Sequence, residues 1–327
     1  MALHLAGHVI VLAIARAIGE IDMLHIVYRS TGKENRKPRP GFYSKMLSLL
    51  SLLFATEALP EEKRREIIFL NDAPVAAANH DVMEAFGEVI DVPNLTLRKS
   101  LRFATDLPRL RNWNDDDIVY FAEDDYLYQP DAFISLLAAA EQMPRPSYFA
   151  FYASAGGLEP SGRPVPPELR VVQRPGKSIV AAGHEWRPAL STTSSFAAHV
   201  HALRQDLWLH RLAPRSGGAW DHVISLAHQG HAPFRWKQVV EPLVDANAGL
   251  VRATLHSGLR ATLNLGAVAS KLHWHPLMAP SPCLATHMEL PHMAAGVDWT
   301  AVVEQTQDWA AQHSLPLDWA APVRDVS

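Results

Sequence analysis

Three consecutive carboxylates, Glu123, Asp124 and Asp125, follow an apolar run in the segment DIVYFAEDDYLYQPDAF (117–133). Adjacent anions repel one another, and the end of a strand offers no helix N-terminus to offset their charge. Mg²⁺ and Mn²⁺ prefer oxygen ligands and commonly use one or two carboxylates together with substrate phosphates. Strand alternation predicts Glu123 and Asp125 on one side and Asp124 on the other. The alternative is a solvated acidic turn such as NDDD (114–117), but that motif precedes its strand, so the triplet favours a metal site.

A basic segment, YRSTGKENRKPRPGF (28–42), follows the first strand-like run. It contains five cations and one anion, Glu34; the cations are Arg29, Lys33, Arg36, Lys37 and Arg39. Its Gly and Pro residues indicate a loop. Any one of these cations alone is typical of a basic surface loop, but as a group they favour a phosphate-bearing ligand. The segment is not a Walker A loop, and no GxGxxG follows the strand, which disfavours P-loop and dinucleotide-binding classes.

Asn71 and Asp72 end the strand-like run in IIFLNDAP (67–74). An acidic residue there can accept hydrogen bonds from a ribose or a base. It can equally cap the helix that begins at Pro74, and the pattern leaves both interpretations open.

A second candidate for chemistry lies in RSGGAWDHVISLAHQG (215–230), where Asp221 follows two glycines and Trp220. A carboxylate beside Trp220 can act as a general base if burial tunes its pKa, although an acid in the first turn of a helix also interacts favourably with the helix dipole. In KLHWHP (271–276), either His273 or His275 is a candidate additional metal ligand, although a lone histidine more often has a structural role. Ser194, in STTSSFAAHV (191–200), offers a hydroxyl or simply reflects β-propensity.

The elements that must position these residues alternate from residue 24 to 152. Strand-like runs at 24–28, 67–70, 88–92, 117–122 and 148–152 are separated by helical patterns. This alternation predicts a largely parallel sheet covered on both faces, with ligands outside the carboxyl ends of the strands. After a Gly/Pro-rich connector, LRVVQ (169–173), SIVAAG (178–183) and STTSSFAAHV predict a mixed extension of the sheet. Helices are predicted at 200–212, 218–230 and 298–314.

Composition sets the limits on function. The chain has 327 residues, 48% of them apolar, and a formal net charge of −4, which gives no general case for nucleic-acid binding. The single cysteine, Cys283, excludes an internal disulfide framework and favours a reducing compartment, the cytoplasm. Residues 1–22 are predicted to be an extension that does not span a membrane. It would lie on the domain or at the inner face of a membrane as a peripheral contact, unless the natural product begins at Met23.

The motifs, taken in order, resemble those of GT-A nucleotide-sugar-dependent glycosyltransferases of the family-2-like branch. They are HIVYRS (25–30), FLND (69–72), VYFAEDDYLYQPDAF (119–133), GGAWDH (217–222) and HWH (273–275). The acidic motif reads Glu-Asp-Asp where the family has Asp-x-Asp, and Asp125 matches the principal metal ligand. Where many relatives have Glu-Asp, this chain has Trp-Asp-His, which makes Asp221 the candidate catalytic residue.

The resemblance implies a GT-A, Rossmann-like α/β fold over residues 23–327, with a nucleotide-sugar-binding half (23–152) and an acceptor-side half (153–327). It implies a Mn²⁺ or Mg²⁺ ion, a nucleotide-diphosphate sugar donor, a glycan or other hydroxyl acceptor, and an inverting mechanism with Asp221 as base. The metal is assigned to Glu123, Asp125 and His275. The donor is assigned to Arg29, Ser30, Lys33, Arg39, Asn71, Asp72, Arg102 and Asp124, and the acceptor to Trp220 and Ser194. The alternatives are a nucleotidyltransferase on a similar sheet and a non-catalytic nucleotide- or sugar-binding module.

Overall fold

A computed structural model of the chain describes residues 21, 23–60, 63–92, 95–143, 145–155, 157–165, 177–217, 219–244, 249–269 and 274–316. The predicted N-terminal extension lies outside the described residues, apart from Ile21, and so does the strand predicted at 169–173. Among the described residues, no helix combines the length and the apolar composition that crossing a membrane requires.

The helices and strands alternate in the first half, as the sequence predicts. The strands are β1 (Met23–Ser30), β2 (Arg64–Asn71), β3 (Glu88–Asp91), β4 (Ile118–Glu123), β5 (Tyr126–Tyr128), β6 (Tyr148–Phe149), β7 (Ala153–Ala155), β8 (Ile179–Ala181), β9 (His184–Thr192), β10 (Phe196–His199), β11 (Leu277–Ser281) and β12 (Ala285–His287). The helices are α1 (Lys45–Glu57), α2 (Ala77–Phe86), α3 (Leu97–Leu110), α4 (Ala132–Glu141), α5 (Val200–Leu212), α6 (Trp220–His228), α7 (Trp236–Val244), α8 (Leu250–Ala269) and α9 (Trp299–Gln312).

One large sheet joins strands from both halves of the chain, in the order β3-β2-β1-β4-β10-β6-β11-β9-β7, with β8 paired to β9. β1, β2, β3 and β4 are mutually parallel. β10 runs antiparallel to both β4 and β6, and β11 runs parallel to β6, so β4, β6 and β11 share one direction. The predicted fold class is confirmed: a mixed α/β fold whose first half is a parallel sheet and whose second half is mixed.

Alternation along the strands builds a hydrophobic core on each face of the sheet. Ile26 and Tyr28 of β1 pack with α1, α4 and α9, whereas Val27 packs on the opposite face with α3 and α5. A further apolar cluster joins α5, α6, α7 and α8 through residues such as Leu209, Val223 and Leu263. The sheet is therefore fixed on both sides, which makes its edge a rigid platform for functional side chains.

A small two-stranded sheet stands beside the large one. β5, directly after the acidic triplet, pairs antiparallel with β12, and this pairing places His287 opposite Tyr126. The sequence pattern between residues 245 and 290 indicates no clear element, whereas the structure has α8, β11 and β12 in that stretch.

Candidate functional site

The carboxyl ends of β1, β2 and β4 meet at one edge of the sheet. In the register of these parallel strands, Arg29 is opposite Glu123 and Ser30 is opposite Asn71. The basic loop after β1 and the acids after β4 therefore lie side by side, as the parallel arrangement predicts.

Glu123, the last residue of β4, pairs with Arg29: its Oε1 lies 2.6 Å from Arg29 Nη2. Burial raises the pKa of Glu123, against the opposing charge of Arg29. Asp124 and Asp125 form a turn between β4 and β5. The expected strand alternation of Glu123 and Asp125 is therefore wrong, because the strand ends before Asp125, and the two carboxylates have different partners.

Asp124 is bound by the beginning of the basic loop, at Thr31, and by Lys45 at the start of α1. Its Oδ2 accepts a hydrogen bond from the backbone N–H of Thr31 at 2.9 Å and lies 3.0 Å from Lys45 Nζ. Burial raises the pKa of Asp124, and the charge of Lys45 opposes that shift. Lys45 also donates to the carbonyl oxygens of Thr31 and Lys33. Lys45 is the first residue of α1, directly after the N-cap Ser44, so its sequence context indicates only a helix start and not a functional residue.

Asp125 belongs to a group of three potential ligands with His287 and Glu289, whose ligand atoms all lie within 4.8 Å of one another. His287 Nε2 is 2.9 Å from Asp125 Oδ2 and 3.2 Å from Glu289 Oε1. Burial favours a raised pKa of Asp125, but the hydrogen bond and charge of His287, with the charge of Arg39, outweigh burial and hold this pKa below its ordinary value. Two carboxylates and an imidazole in this proximity are a donor set that a divalent cation can use.

Pairing of β12 with β5 positions this group. The His287 ring stacks on Tyr126 with centroids 4.9 Å apart, and Met288 N donates to the Asp125 carbonyl at 2.9 Å. The basic loop closes the other side: Arg39 Nη2 is 3.2 Å from Asp125 Oδ2, and Lys37 pairs with Glu289. Sequence spacing gave no signal for His287 or Glu289, because the segment that carries them reaches Asp125 only through this long-range pairing.

His275 does not join Asp125, which corrects its assignment to the same metal site. It lies just before β11, and β11 runs in the direction of β4, so His275 is at the opposite edge of the sheet. There its Nδ1 is 2.7 Å from Asp206 Oδ2, and its carbonyl oxygen is bonded to His228 Nδ1 at 2.9 Å. His275 is 5% exposed and belongs to a buried polar network with Tyr148, whose hydroxyl donates to Asp206 at 3.1 Å.

Asn71 and Asp72 take different positions at the end of β2. Asn71 is buried; its Oδ1 accepts from Ser30 Oγ at 2.6 Å, and its Nδ2 donates to Asp91 at 3.0 Å. Asp72 is half-buried, and its backbone N–H donates to the Ser30 carbonyl at 3.0 Å. A cavity of about 440 Å³ opens beside Asn71, lined also by Pro74, Val75, Ala77, His80, Asp81 and Asp91.

A second cavity, of about 180 Å³, lies next to the acidic triplet. Its lining includes Ser30, Thr31, Gly32, Lys45, Val75 and Asp124. Gly32 is required at this place, because a Cβ there would stand 1.8 Å from the Pro74 carbonyl oxygen. Lys33 is exposed on the same loop. Val75 lines both cavities, so the two lie side by side along the carboxyl edge.

Arg102 lines neither of these two cavities, contrary to its assignment to the donor. It lies on the exposed side of α3, with Nε 3.7 Å from Asp106 one helical turn away. Asp106 is also bonded to Arg211 of α5 at 2.6 Å, so Arg102 belongs to a surface ion-pair network between these two helices.

Asp221 lies in the first turn of α6 and is half-buried. Its Oδ1 accepts a hydrogen bond from His222 N at 2.8 Å. Burial raises the pKa of Asp221, and the hydrogen bond from His222 opposes the shift. Trp220 packs in part against the apolar cluster of α5 to α8.

Backbone and hydroxyl contacts connect α6 to the acidic edge. Ser225 Oγ donates to the Asp221 carbonyl at 2.9 Å and accepts from Thr192 N at 3.3 Å. The next residue, Thr193, has its Oγ1 2.8 Å from the Tyr126 hydroxyl, beside Asp125. Ser194 is buried in the same connection to β10. The start of α6 is therefore tied to the segment that carries the acids.

No family model matches this chain. No curated protein gives a significant match to it. Among solved structures, residues 1–349 of TarS from S. aureus align at 10% identity with a TM-score of 0.40, over 74% of this chain and 71% of that one. The same TarS segment in complex with UDP-GlcNAc aligns at 10% identity with a TM-score of 0.37, over 62% and 52% of the two chains. In complex with UDP it aligns at 10% identity with a TM-score of 0.38, over 76% and 70%.

Proposed function

We propose that this chain is a metal-dependent, GT-A-type glycosyltransferase, which moves a sugar from a nucleotide-diphosphate sugar to a hydroxyl of a glycan or another acceptor. The observation that carries the proposal is the carboxyl edge of the sheet. There Asp125, His287 and Glu289 lie within 4.8 Å of one another, beside a cavity that Asp124 and Lys45 line. We place the reaction in the cytoplasm.

The donor would lie along the two adjoining cavities. A nucleoside needs a largely apolar cleft with a few polar groups, and a volume of about 440 Å³ falls within the usual range for small-molecule sites. Asn71, Asp72 and Asp91 offer oxygen and amide groups to a ribose or a base. Lys45 lines the smaller cavity, and the exposed Lys33 follows Gly32 of the same lining, so these two cations would meet a phosphate there.

Asp125, His287 and Glu289 would hold Mn²⁺ or Mg²⁺. A divalent ion bound there supplies positive charge that offsets the charge developing on a departing diphosphate. Arg39 and Lys37 contact the same carboxylates and keep them oriented toward one another. Glu123, paired with Arg29, would support the turn that presents Asp125.

Asp221 would accept the proton of the acceptor hydroxyl while that oxygen attacks the anomeric carbon. Its raised pKa makes the carboxylate a stronger base than an exposed aspartate, which suits proton abstraction. Attack opposite the leaving group in one displacement inverts the anomeric configuration. Trp220, which directly precedes Asp221 on α6, would contact the acceptor, and so would Ser194, which lies in the connection from β9 to β10.

The test is a panel of uridine, guanosine and thymidine diphosphate sugars with Mn²⁺ or Mg²⁺, with free nucleoside diphosphate as the measured product. Asp125→Asn should abolish metal-stimulated release, because it removes a ligand charge. The matched control is Asp308→Asn, an exposed carboxylate on α9, which should retain native activity.

The outcomes separate the three functional classes. Release of pyrophosphate from a nucleoside triphosphate, without nucleoside diphosphate release, would identify a nucleotidyltransferase. Binding of a nucleotide sugar without turnover under any metal condition would identify a binding module. Native turnover of Asp125→Asn would exclude Asp125 as a metal ligand.

A further inference from the structure

Exposed apolar side chains are concentrated on two neighbouring helices. Among the described residues, thirteen large hydrophobic side chains are exposed, and eight of them lie on α7 and α8. The eight are Trp236, Val240, Leu243, Leu250, Val251, Leu255, Leu265 and Val268. Single exposed apolar residues are ordinary on a soluble protein, but eight on two helices that pack against each other mark an interaction surface.

Helix α8 is apolar on two opposite faces. Its buried face carries Ala253, Leu263 and Ala267 and packs against α5 and α6. At 100° per residue, Val251, Leu255 and Leu265 lie within about 80° of one another on the opposite side. Ten residues of α8 are exposed, and among them only Arg252 carries a charge. A helix of 20 residues thus offers solvent a nearly uncharged face about 30 Å long.

Helix α7 extends this surface. Trp236, Val240 and Leu243 follow at i, i+4 and i+7, which places them on one side of the helix. Trp236 is 76% exposed and stands between the exposed cations Arg235 and Lys237. We call the eight exposed apolar residues of α7 and α8 the apolar surface.

The apolar surface is held rigidly by the rest of the fold. Gly266 of α8 lies directly under the Trp208 ring, where a Cβ would stand 2.2 Å from the ring carbon Cη2. Arg260 of α8 donates to the Ser216 carbonyl at 3.1 Å and also to the Gln238 carbonyl of α7. The exposed face therefore does not need to rearrange before it binds.

We propose that the apolar surface docks this protein onto an anionic lipid bilayer, with α7 and α8 lying in the plane of the interface. Interfacial helices combine a Leu- and Trp-bearing face with flanking Lys and Arg. Lys237 and Arg252 stand against Glu241 among the described exposed charges of the two helices, and Arg235 directly precedes α7, on a chain whose overall charge is negative. That local excess of positive charge fits anionic head groups. The inference goes beyond sugar transfer and stands independently of it.

The experiment is sedimentation of the full chain with phosphatidylcholine vesicles that contain or lack phosphatidylglycerol. The variant Leu255→Glu/Leu265→Glu puts two charges into the apolar surface at positions that are 67% and 70% exposed. Its partition coefficient should fall at least about tenfold, because two side chains no longer enter the lipid. The matched control is Val180→Glu on β8, which is 68% exposed and outside the surface, and it should bind like the native chain.

A second variant, Lys237→Glu/Arg252→Glu, tests the charges. It should lose at least about fivefold in affinity for the anionic vesicles and little for the neutral ones. Circular dichroism checks that each variant is folded. Absence of vesicle binding by the native chain, or equal binding by the Leu255→Glu/Leu265→Glu variant, would overturn the proposal. A native dimer that this variant converts to monomer, without vesicle binding, would assign the surface to a second copy of the chain instead.

Discussion

His210, near the end of α5, should make the stability of this protein depend on pH. The side chain is 2% exposed, and neither of its ring nitrogens has a hydrogen-bond partner. Its ring stacks on Phe196 at a centroid distance of 5.6 Å. Burial alone lowers the pKa of His210 from 6.5 to about 4. The unfolded chain therefore takes up a proton below pH 6.5, whereas the folded chain does so only near pH 4.

Above pH 6.5 His210 is neutral in both states, so it imposes no proton-linked cost on folding. As the pH falls from 6.5 toward 4, the unfolded chain binds the proton and the folded chain does not, so the folded state loses stability. The interval of 2.5 units between 6.5 and 4 corresponds to roughly 3 kcal/mol at about 1.36 kcal/mol per unit. His210→Phe keeps an aromatic ring of similar size and removes both unsatisfied nitrogens. The variant should be at least as stable as the native chain at pH 7, and its advantage should grow by roughly 3 kcal/mol by pH 4.

The assay is urea denaturation of both proteins at several pH values between 4 and 7.5, followed by circular dichroism. His228 has its pKa lowered to about 4 as well, chiefly by burial, and it is present in both proteins. Its contribution cancels in the difference except for the small part of its shift that the charge of His210 causes. Stability curves that stay parallel across this range would refute the reasoning, because they would show that His210 takes up no fewer protons in the folded state than in the unfolded one.

Three further predictions concern the site and the N-terminal segment. Asp221→Asn should lower sugar transfer by roughly 10²–10⁴-fold with little change in donor affinity; native transfer should fall as the pH drops through the raised pKa of this base. Above that pKa the buried charge of Asp221 lowers the stability of the folded state, so Asp221→Asn should unfold at a higher temperature at pH 7. A variant with the native transfer rate and a lower melting temperature would show that Asp221 has only a structural role. Lys45→Met leaves the buried carboxylate of Asp124 with one backbone donor, and it should weaken nucleoside-diphosphate binding in calorimetry and lower the unfolding free energy by about 1–3 kcal/mol. A chain that starts at Met23 should stay soluble with unchanged nucleotide affinity, and aggregation on expression would contradict this.

The sequence predicts the parallel half of the sheet because the signals there are local. Each strand from β1 to β4 is a short apolar run; β1, β2 and β3 are each followed by a helix, and α4 follows β4 after the short strand β5. The carboxyl edge and its acids can therefore be placed from the sequence. Strand β9 was missed, since its burial changes along its length: its first part pairs with β11 and its second part with β7.

The remaining differences arise from long-range contacts. His287 reaches Asp125 from 162 positions away in the sequence, through the pairing of β12 with β5, and no spacing rule could have preferred it to His275. The positive charge of Arg102 suggests a donor-binding residue, but in the structure Arg102 pairs with Asp106, one turn further along the same helix. Helix α8 escaped prediction because apolar residues on two opposite faces erase the periodicity by which a helix is recognised.

The ion pairs at the carboxyl edge have a consequence for how ligands assemble there. Four carboxylates face four cations: Glu123 with Arg29, Asp124 with Lys45, Asp125 with Arg39, and Glu289 with Lys37. The formal charge of these four pairs is therefore balanced before anything binds. A diphosphate alone makes the edge more negative, and a divalent cation alone makes it more positive, whereas the two together offset each other. Each should raise the affinity of the edge for the other by the same factor. The ratio of nucleotide affinities with and without the cation is then a direct measure of this coupling.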